Sequence, residues 1–251
     1  MKAIMDLHTH TLAAGHAYST LLENIDAALA MGLQYLGMSE HGPTSPGGPH
    51  NFFFSNYKVI PRIYDREENT GRVIPKPDGS LRLLCGVEAN ICSTNGELDL
   101  EERYLQKMDY ALASIHPFAF TAGSRKENTL ASVRAFQNPY VKILGHPDDG
   151  RFPLDYDELV REARQAQAVL EVNNSSLNPQ SARQGGRENI TELLKTCMKY
   201  DQPVIMGTDS HMCFAIGAFD AEQLMRELEF PKELVLNYDP ENIRKLINIT
   251  L

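Results

Sequence analysis

The chain has 251 residues, 42% hydrophobic and 23% charged, enough for one large α/β barrel or two small domains. Its 24 basic and 33 acidic residues leave a formal net charge of -9, which argues against a broad basic face for extended nucleic acid or an anionic membrane. No stretch approaches the run of about 18 apolar residues that a membrane span needs, the opening MKAIMDLHTH has no signal-peptide core, and Cys85, Cys92, Cys197 and Cys213 show no CxxC spacing. Free thiols in a reducing cytoplasm are therefore expected.

Seven short apolar runs of strand character alternate with helical segments, the pattern of βα units around a parallel sheet. The first covers residues 3–8, and Thr20 caps a helix over 21–31 that Gly32 ends. After the second run, 35–39, comes a long connection (about 42–82) whose Gly/Pro-rich start, HGPTSPGGPHNFFFS, is a candidate lid. Within it the pattern predicts a helix over 56–68 and a hairpin in RVIPKPDGSLRLL turning at Asp78 and Gly79. Runs at 83–88, 110–115 and 141–144 follow, then a helix after Asp155, a run at 168–173, a helix after Gly186, and a run at 204–208. Asp220 precedes a further helix, and Pro240 opens a last one over 241–249. With no repeat or low-complexity tract to mark a boundary, residues 1–251 read as one domain carrying that insertion.

The histidines follow this frame. The stretch MDLHTHTLAAGHAYST contains His8, His10 and His16, and His41, His116, His146 and His211 fall at or just beyond run ends, as do Glu88 and Asp209. In a closed parallel barrel those ends meet at one mouth. Side chains two apart on a strand share a face, so His8 and His10 can chelate one ion together. Asp6 shares that face, either orienting a ring nitrogen or tied to backbone. Nine ligands divide naturally among three divalent ions with about three protein ligands each. Imidazole and carboxylate without thiolate suit zinc foremost, with manganese or iron as alternatives. His50, in the long connection, is either solvated or turned to substrate.

DLHTHT at 6–11, HAYST at 16–20, SEHGP at 39–43, GVEANI at 86–91, SIHPF at 114–118, GHP at 145–147, EVNNSS at 171–176 and GTDSH at 207–211 together resemble the PHP (polymerase and histidinol phosphatase) superfamily. The similarity is to its YcdX-like phosphatase branch. It implies a distorted (β/α)7 TIM-like barrel with a trinuclear metal site at the C-terminal strand ends. It also implies a ligand set: His8, His10, Glu88 and Asp209 on one ion, Glu88, His116 and His146 on a second, His16, His41 and His211 on the third, with Glu88 bridging. The segment 65–80 is longer than the family pattern.

Such a centre suits hydrolysis of a small phosphate monoester, a hydroxide held between two ions attacking phosphorus in line while Glu88 and Asp209 form the catalytic core. Asp209 serves as ligand first, and as orienter of the nucleophile or proton carrier second. Arg183, where the family places an arginine, is a candidate phosphate binder with Arg187 as fallback, each weighed against a plain surface arginine. Asn173 and His50 are further substrate-side candidates, although EVNNSS also reads as turn chemistry. The alternatives are a phosphodiesterase or nuclease, an amidohydrolase-like enzyme, and a non-catalytic metal protein. The expected partner is a small phosphorylated substrate, in the cytoplasm, with no membrane; a homo-oligomer is compatible with the sequence.

Overall fold

The computed structural model describes residues 2–247. Strand β1 (Met5–Asp6) leads to helix α1 (Leu21–Met31), where Thr20 and Glu23 form a reciprocal cap, and then to β2 (Tyr35–His41). The long connection holds α2 (Asn51–Ser55), β3 (Ile63–Arg66) and β4 (Val73–Pro75). After β5 (Leu81–Asn90) come α3 (Glu102–Leu105), β6 (Tyr110–Ser114), α4 (Arg125–Ala135) and β7 (Val141–Leu144). The last turns are α5 (Tyr156–Ala166), β8 (Val169–Asn173), α6 (Gly186–Tyr200), β9 (Val204–Gly207) and α7 (Ala221–Glu227). Among the described residues no helix is long and apolar enough to cross a membrane.

Seven strands run parallel in the order β1-β2-β5-β6-β7-β8-β9, a nearly closed barrel with one seam between β9 and β1. The seam is bridged on the side of the strand C-termini, where Thr9 pairs with Ser210 and the Asp6 carboxylate accepts from Thr208 N (3.2 Å), Thr208 Oγ1 (2.5 Å) and Gly217 N (3.1 Å). Of the two readings of Asp6, the structure shows the backbone-tied one. Lower down, buried Asn237 fills the gap: its amide donates to Met5 O (3.0 Å) and Met206 O (2.8 Å) and accepts from Met206 N (2.7 Å).

The barrel interior is filled by Met5, Leu7, Leu84, Tyr110, Leu112, Ile143, Val169 and Ile205, drawn from the strands around the ring. Tyr110 spans it, donating its hydroxyl to Leu7 O at 2.6 Å. Glycine at 37 and 86 makes this span fit, since a Cβ at Gly37 would lie 2.0 Å from the Tyr110 hydroxyl and one at Gly86 2.6 Å from the ring. Alternation along β8 turns Val169, Glu171 and Asn173 to the same inner side. Two larger apolar clusters pack the helices on the outside.

Two expectations for the long connection are corrected. Residues 56–68 are not a helix, because Pro61 removes a backbone donor and disfavours helix before it; a 3-10 turn (Tyr57–Val59) is followed by β3. The hairpin is β3 with β4, joined through Glu67 and Gly71, and β3 then pairs antiparallel with β5. A turn does form at Gly79, but it returns the chain to β5 without pairing β4 to it. The last helix is a 3-10 segment, Pro240–Lys245, and residues 248–249 of the expected one lie outside the described residues.

Candidate metal centre

Seven histidines and two carboxylates arrive at one end of the barrel, each at or just past the end of its strand except His16, which follows a 3-10 turn (Leu12–Ala14) beyond β1. Glu88, fully buried on β5, stands at the middle. Its Oε1 lies 2.9 Å from His146 Nε2 and 3.4 Å from both His116 Nε2 and His8 Nε2, and its Oε2 lies 2.7 Å from His41 Nδ1 and 3.5 Å from His10 Nε2. Asp209 Oδ1 lies 3.1 Å from His10 Nε2 and 3.5 Å from His8 Nε2. To one side, His16 Nε2 and His211 Nε2 face each other at 2.9 Å, and the His16 ring stacks on His41 at 4.9 Å. Three overlapping groups result: His8, His10 and Glu88; His41, Glu88 and His116; and His10, His41 and His211.

Four of these rings are oriented from behind. The Nδ1–H groups of His8, His16, His116 and His211 point to Glu171 Oε1 (2.7 Å), Ala14 O (3.1 Å), Asn90 Oδ1 (2.7 Å) and Asp209 O (2.9 Å). Each acceptor selects the tautomer that leaves Nε2 free toward the centre. Asn90 is itself clamped by Asp99, which accepts from its backbone N (2.8 Å) and its amide (2.5 Å). The sequence reading did not single out Glu171, Asn90 or Asp99. Glu171 sits inside the apolar run AVLEV, where a lone carboxylate on a strand covered on both faces was itself a signal.

Two proposed ligands sit in the left-handed backbone region, His146 at φ 28° and Asp209 at φ 52°. Non-glycine residues there cost about 1–3 kcal/mol each and cluster at functional sites.

Charge is arranged to match. Burial alone would lift the Glu88 carboxyl, but His8, His116 and His41 around it hold it well below the usual carboxylate range. Asp209 is likewise buried yet held low by His8, Arg183 and His10. Burial, assisted by His41, pushes His10 and His16 down, and burial pushes His116 down, so these rings are neutral and ready to donate lone pairs at pH 7. For His8 and His41 burial is outweighed by the facing carboxylates, Glu171 and Glu88 for His8 and Glu88 for His41, and both pKa values stand above the ordinary one.

Arg183 reaches the centre: Nη2 lies 2.5 Å from Asp209 Oδ2, and Nη1 lies 3.0 Å from Asn173 Oδ1. Asn173 is wholly buried, its amide N donating to Glu171 Oε2 (3.1 Å) and Asp209 Oδ2 (3.3 Å) while its Oδ1 accepts from Ser176 N (3.2 Å). The contact to Ser176 N is its turn reading, and its two N–H groups and two lone pairs are all taken by the protein's own residues. Arg187 is exposed and paired with Glu227. His50 stands apart from the cluster and caps α2, its Nδ1 accepting from Phe52 N at 3.2 Å.

Several buried ring nitrogens of the cluster have no hydrogen-bond partner: His8 Nε2, His10 Nδ1 and His41 Nε2. Unpartnered buried lone pairs cost about 1–3 kcal/mol each unless something binds them. An all-imidazole and carboxylate set of this kind fits divalent cations such as zinc.

Comparison with known proteins agrees with this geometry. The PHP domain family model matches residues 6–182. A protein of Clostridium novyi named a probable phosphatase is 40% identical over 245 residues, which is 97% of this chain and 93% of that protein. A probable phosphatase of Clostridium acetobutylicum is 41% identical with the same coverage. The crystal structure of histidinol phosphate phosphatase from Lactococcus lactis, complexed with zinc, L-histidinol and phosphate, superposes with a TM-score of 0.57 at 16% identity, covering 92% of this chain and 95% of that one. The last likeness shows the barrel fold, and the sequence matches show the lineage: the chain belongs to the PHP family.

Proposed function

We propose that this enzyme hydrolyses a small phosphate monoester using three divalent cations, zinc foremost. The observation that carries the reading is the convergence of seven histidines, Glu88 and Asp209 at one end of the barrel, with several buried ring nitrogens left unpartnered. His8, His10, Glu88 and Asp209 would hold one cation, Glu88, His116 and His146 a second, and His16, His41 and His211 the third. His10 and His41 also lie between groups, their rings 4.2 Å apart. Bound there, the cations would supply an activated water nucleophile at neutral pH and neutralise charge on the phosphate.

The chain's own residues do the rest. Glu88 presents Oε1 to His8, His116 and His146 and Oε2 to His10 and His41, so one carboxylate lies between the groups of rings. Asp209 presents Oδ1 to His8 and His10 and Oδ2 to Arg183, which sets a guanidinium beside the centre. A planar fork held there binds phosphate oxygens bidentately and stabilises charge that grows in the transition state. Asp209, held as a carboxylate between the ligand rings and Arg183, serves as ligand first and as acceptor that orients the nucleophile second.

The histidinol phosphatase neighbour, with zinc and phosphate in its complex, supports a phosphate monoester and zinc. The test is metal content per chain on protein purified without chelators, followed by p-nitrophenyl phosphate and bis-p-nitrophenyl phosphate assays after zinc or manganese loading. About three metals with monoester turnover is the expected result. Diester turnover alone would turn the reading to a phosphodiesterase, and one metal or none would overturn the trinuclear centre.

A further inference from the structure

We infer that Glu171 is a positioning residue that organises two of the three proposed cation sites and leaves the third alone. The assignment rests on the trinuclear reading above. β8 is the one barrel strand that sends no proposed ligand to the centre, yet it places a fully buried carboxylate directly behind it.

Three donors from three places in the chain meet on this carboxylate. His8 Nδ1–H reaches Oε1 at 2.7 Å, His146 N–H reaches Oε2 at 2.7 Å, and the Asn173 amide, which also touches Asp209, reaches Oε2 at 3.1 Å. The first contact sets the His8 tautomer, so that Nε2 is the atom turned to Glu88 and Asp209. The second holds the backbone of His146 in its left-handed conformation, which is uncommon for a residue other than glycine. The third ties Asp209 to the same anchor. By contrast, none of the hydrogen bonds of Glu171 goes to His16, His41 or His211, whose fixed ring nitrogens use backbone acceptors at His16 and His211.

The neighbouring strand is shaped for this carboxylate. A Cβ at Gly207 on β9 would fall 2.0 Å from Glu171 Oε1 and 2.9 Å from His8 Cβ, so glycine at 207 leaves the space in which the two side chains meet. A glutamine at 171 cannot reproduce the pattern, because both oxygens accept from N–H groups and an amide must turn its own N–H against one of them.

The experiment compares wild-type protein and Glu171→Gln, each loaded with zinc and challenged with graded chelator, counting zinc retained per chain. Glu171→Gln should hold two of its ions about 10–100-fold more weakly while the third keeps its wild-type affinity. Equal retention of all ions overturns the assignment, and so does uniform weakening of all three, which marks a general packing defect. A wild-type chain that retains fewer than two ions overturns the trinuclear reading itself, and is recognised before any variant is made. A second measurement needs no variant: in 15N-histidine-labelled wild-type protein, His8 should show an Nδ1–H proton protected from exchange. Protonation of His8 at Nε2 alone overturns the assignment.

Discussion

Asn237 holds shut the seam on which the candidate metal centre depends, and Asn237→Ala tests this. The substitution removes three buried hydrogen bonds, to Met5 O, Met206 O and Met206 N, at the one place where the barrel has no continuous strand ladder. At about 1 kcal/mol net for each bond, and more where the stranded backbone groups stay dry, the loss is about 3–4 kcal/mol. For a chain of this size that lowers Tm by about 6–16 °C. Urea unfolding of metal-free protein, followed by far-UV circular dichroism, reads the loss. Because β1 carries the chain into His8 and β9 carries it into Asp209, the same variant should also weaken zinc binding. A change under about 1 kcal/mol would refute the reasoning and show that Asp6, with Thr208 and Gly217, closes the seam unaided.

Glu88→Gln should lose activity together with about one metal per chain, read by elemental analysis, because its two oxygens face five of the seven rings, His8, His10, His41, His116 and His146. His50→Ala should keep all its metals, since that ring only caps α2. Arg183→Lys should lower kcat/KM for a phosphate monoester by about 10-fold or more with metal content unchanged, because lysine cannot grip Asp209, Asn173 and phosphate at once. The pH dependence has a definite sign. His8 and His41 are raised above their ordinary values, so the metal-free protein draws stability from their protons below about 6.5 and loses it as pH rises through the raised values. Buried Glu40, pushed up to about 7, and Asp6, pushed up to about 6, act in the same direction. Metal must displace the histidine protons, so zinc affinity should climb with pH over this window and proton release should appear as buffer-dependent binding heat. The Tm gap between loaded and metal-free protein should widen from pH 5.5 to 8.

The barrel strands and the proposed ligands were legible in the sequence because each signal was local: an apolar run, then a histidine or carboxylate at its end. What escaped had no local signal, or a conflicting one. Helix α4 buries Asn128, Thr129, Ala131, Ser132 and Ala135, so no apolar stripe marks it, although its capping pair Ser124 and Glu127 was readable. β3 was hidden because its neighbours read as helix until Pro61 is given its weight. Asn237 belongs to a short 3-10 turn, where nothing in the local pattern announces a residue that fastens two strands more than two hundred positions apart in sequence. Glu171 was hidden by its own environment, an apolar strand whose period says core.

These features are connected through charge. The chain is acidic overall, and its candidate centre gathers the carboxylates Glu88, Asp209 and, just behind them, Glu171. Against them the protein sets one permanent cation, Arg183, and draws protons onto His8 and His41. A centre that pulls protons onto two of its own ligands is short of positive charge, and protons supply it only at the cost of the lone pairs that face inward. Divalent cations satisfy both demands at once, neutralising the carboxylates while the rings return to their neutral form. The same charge would then offer an anionic substrate a local attraction that the surface of an acidic protein does not provide.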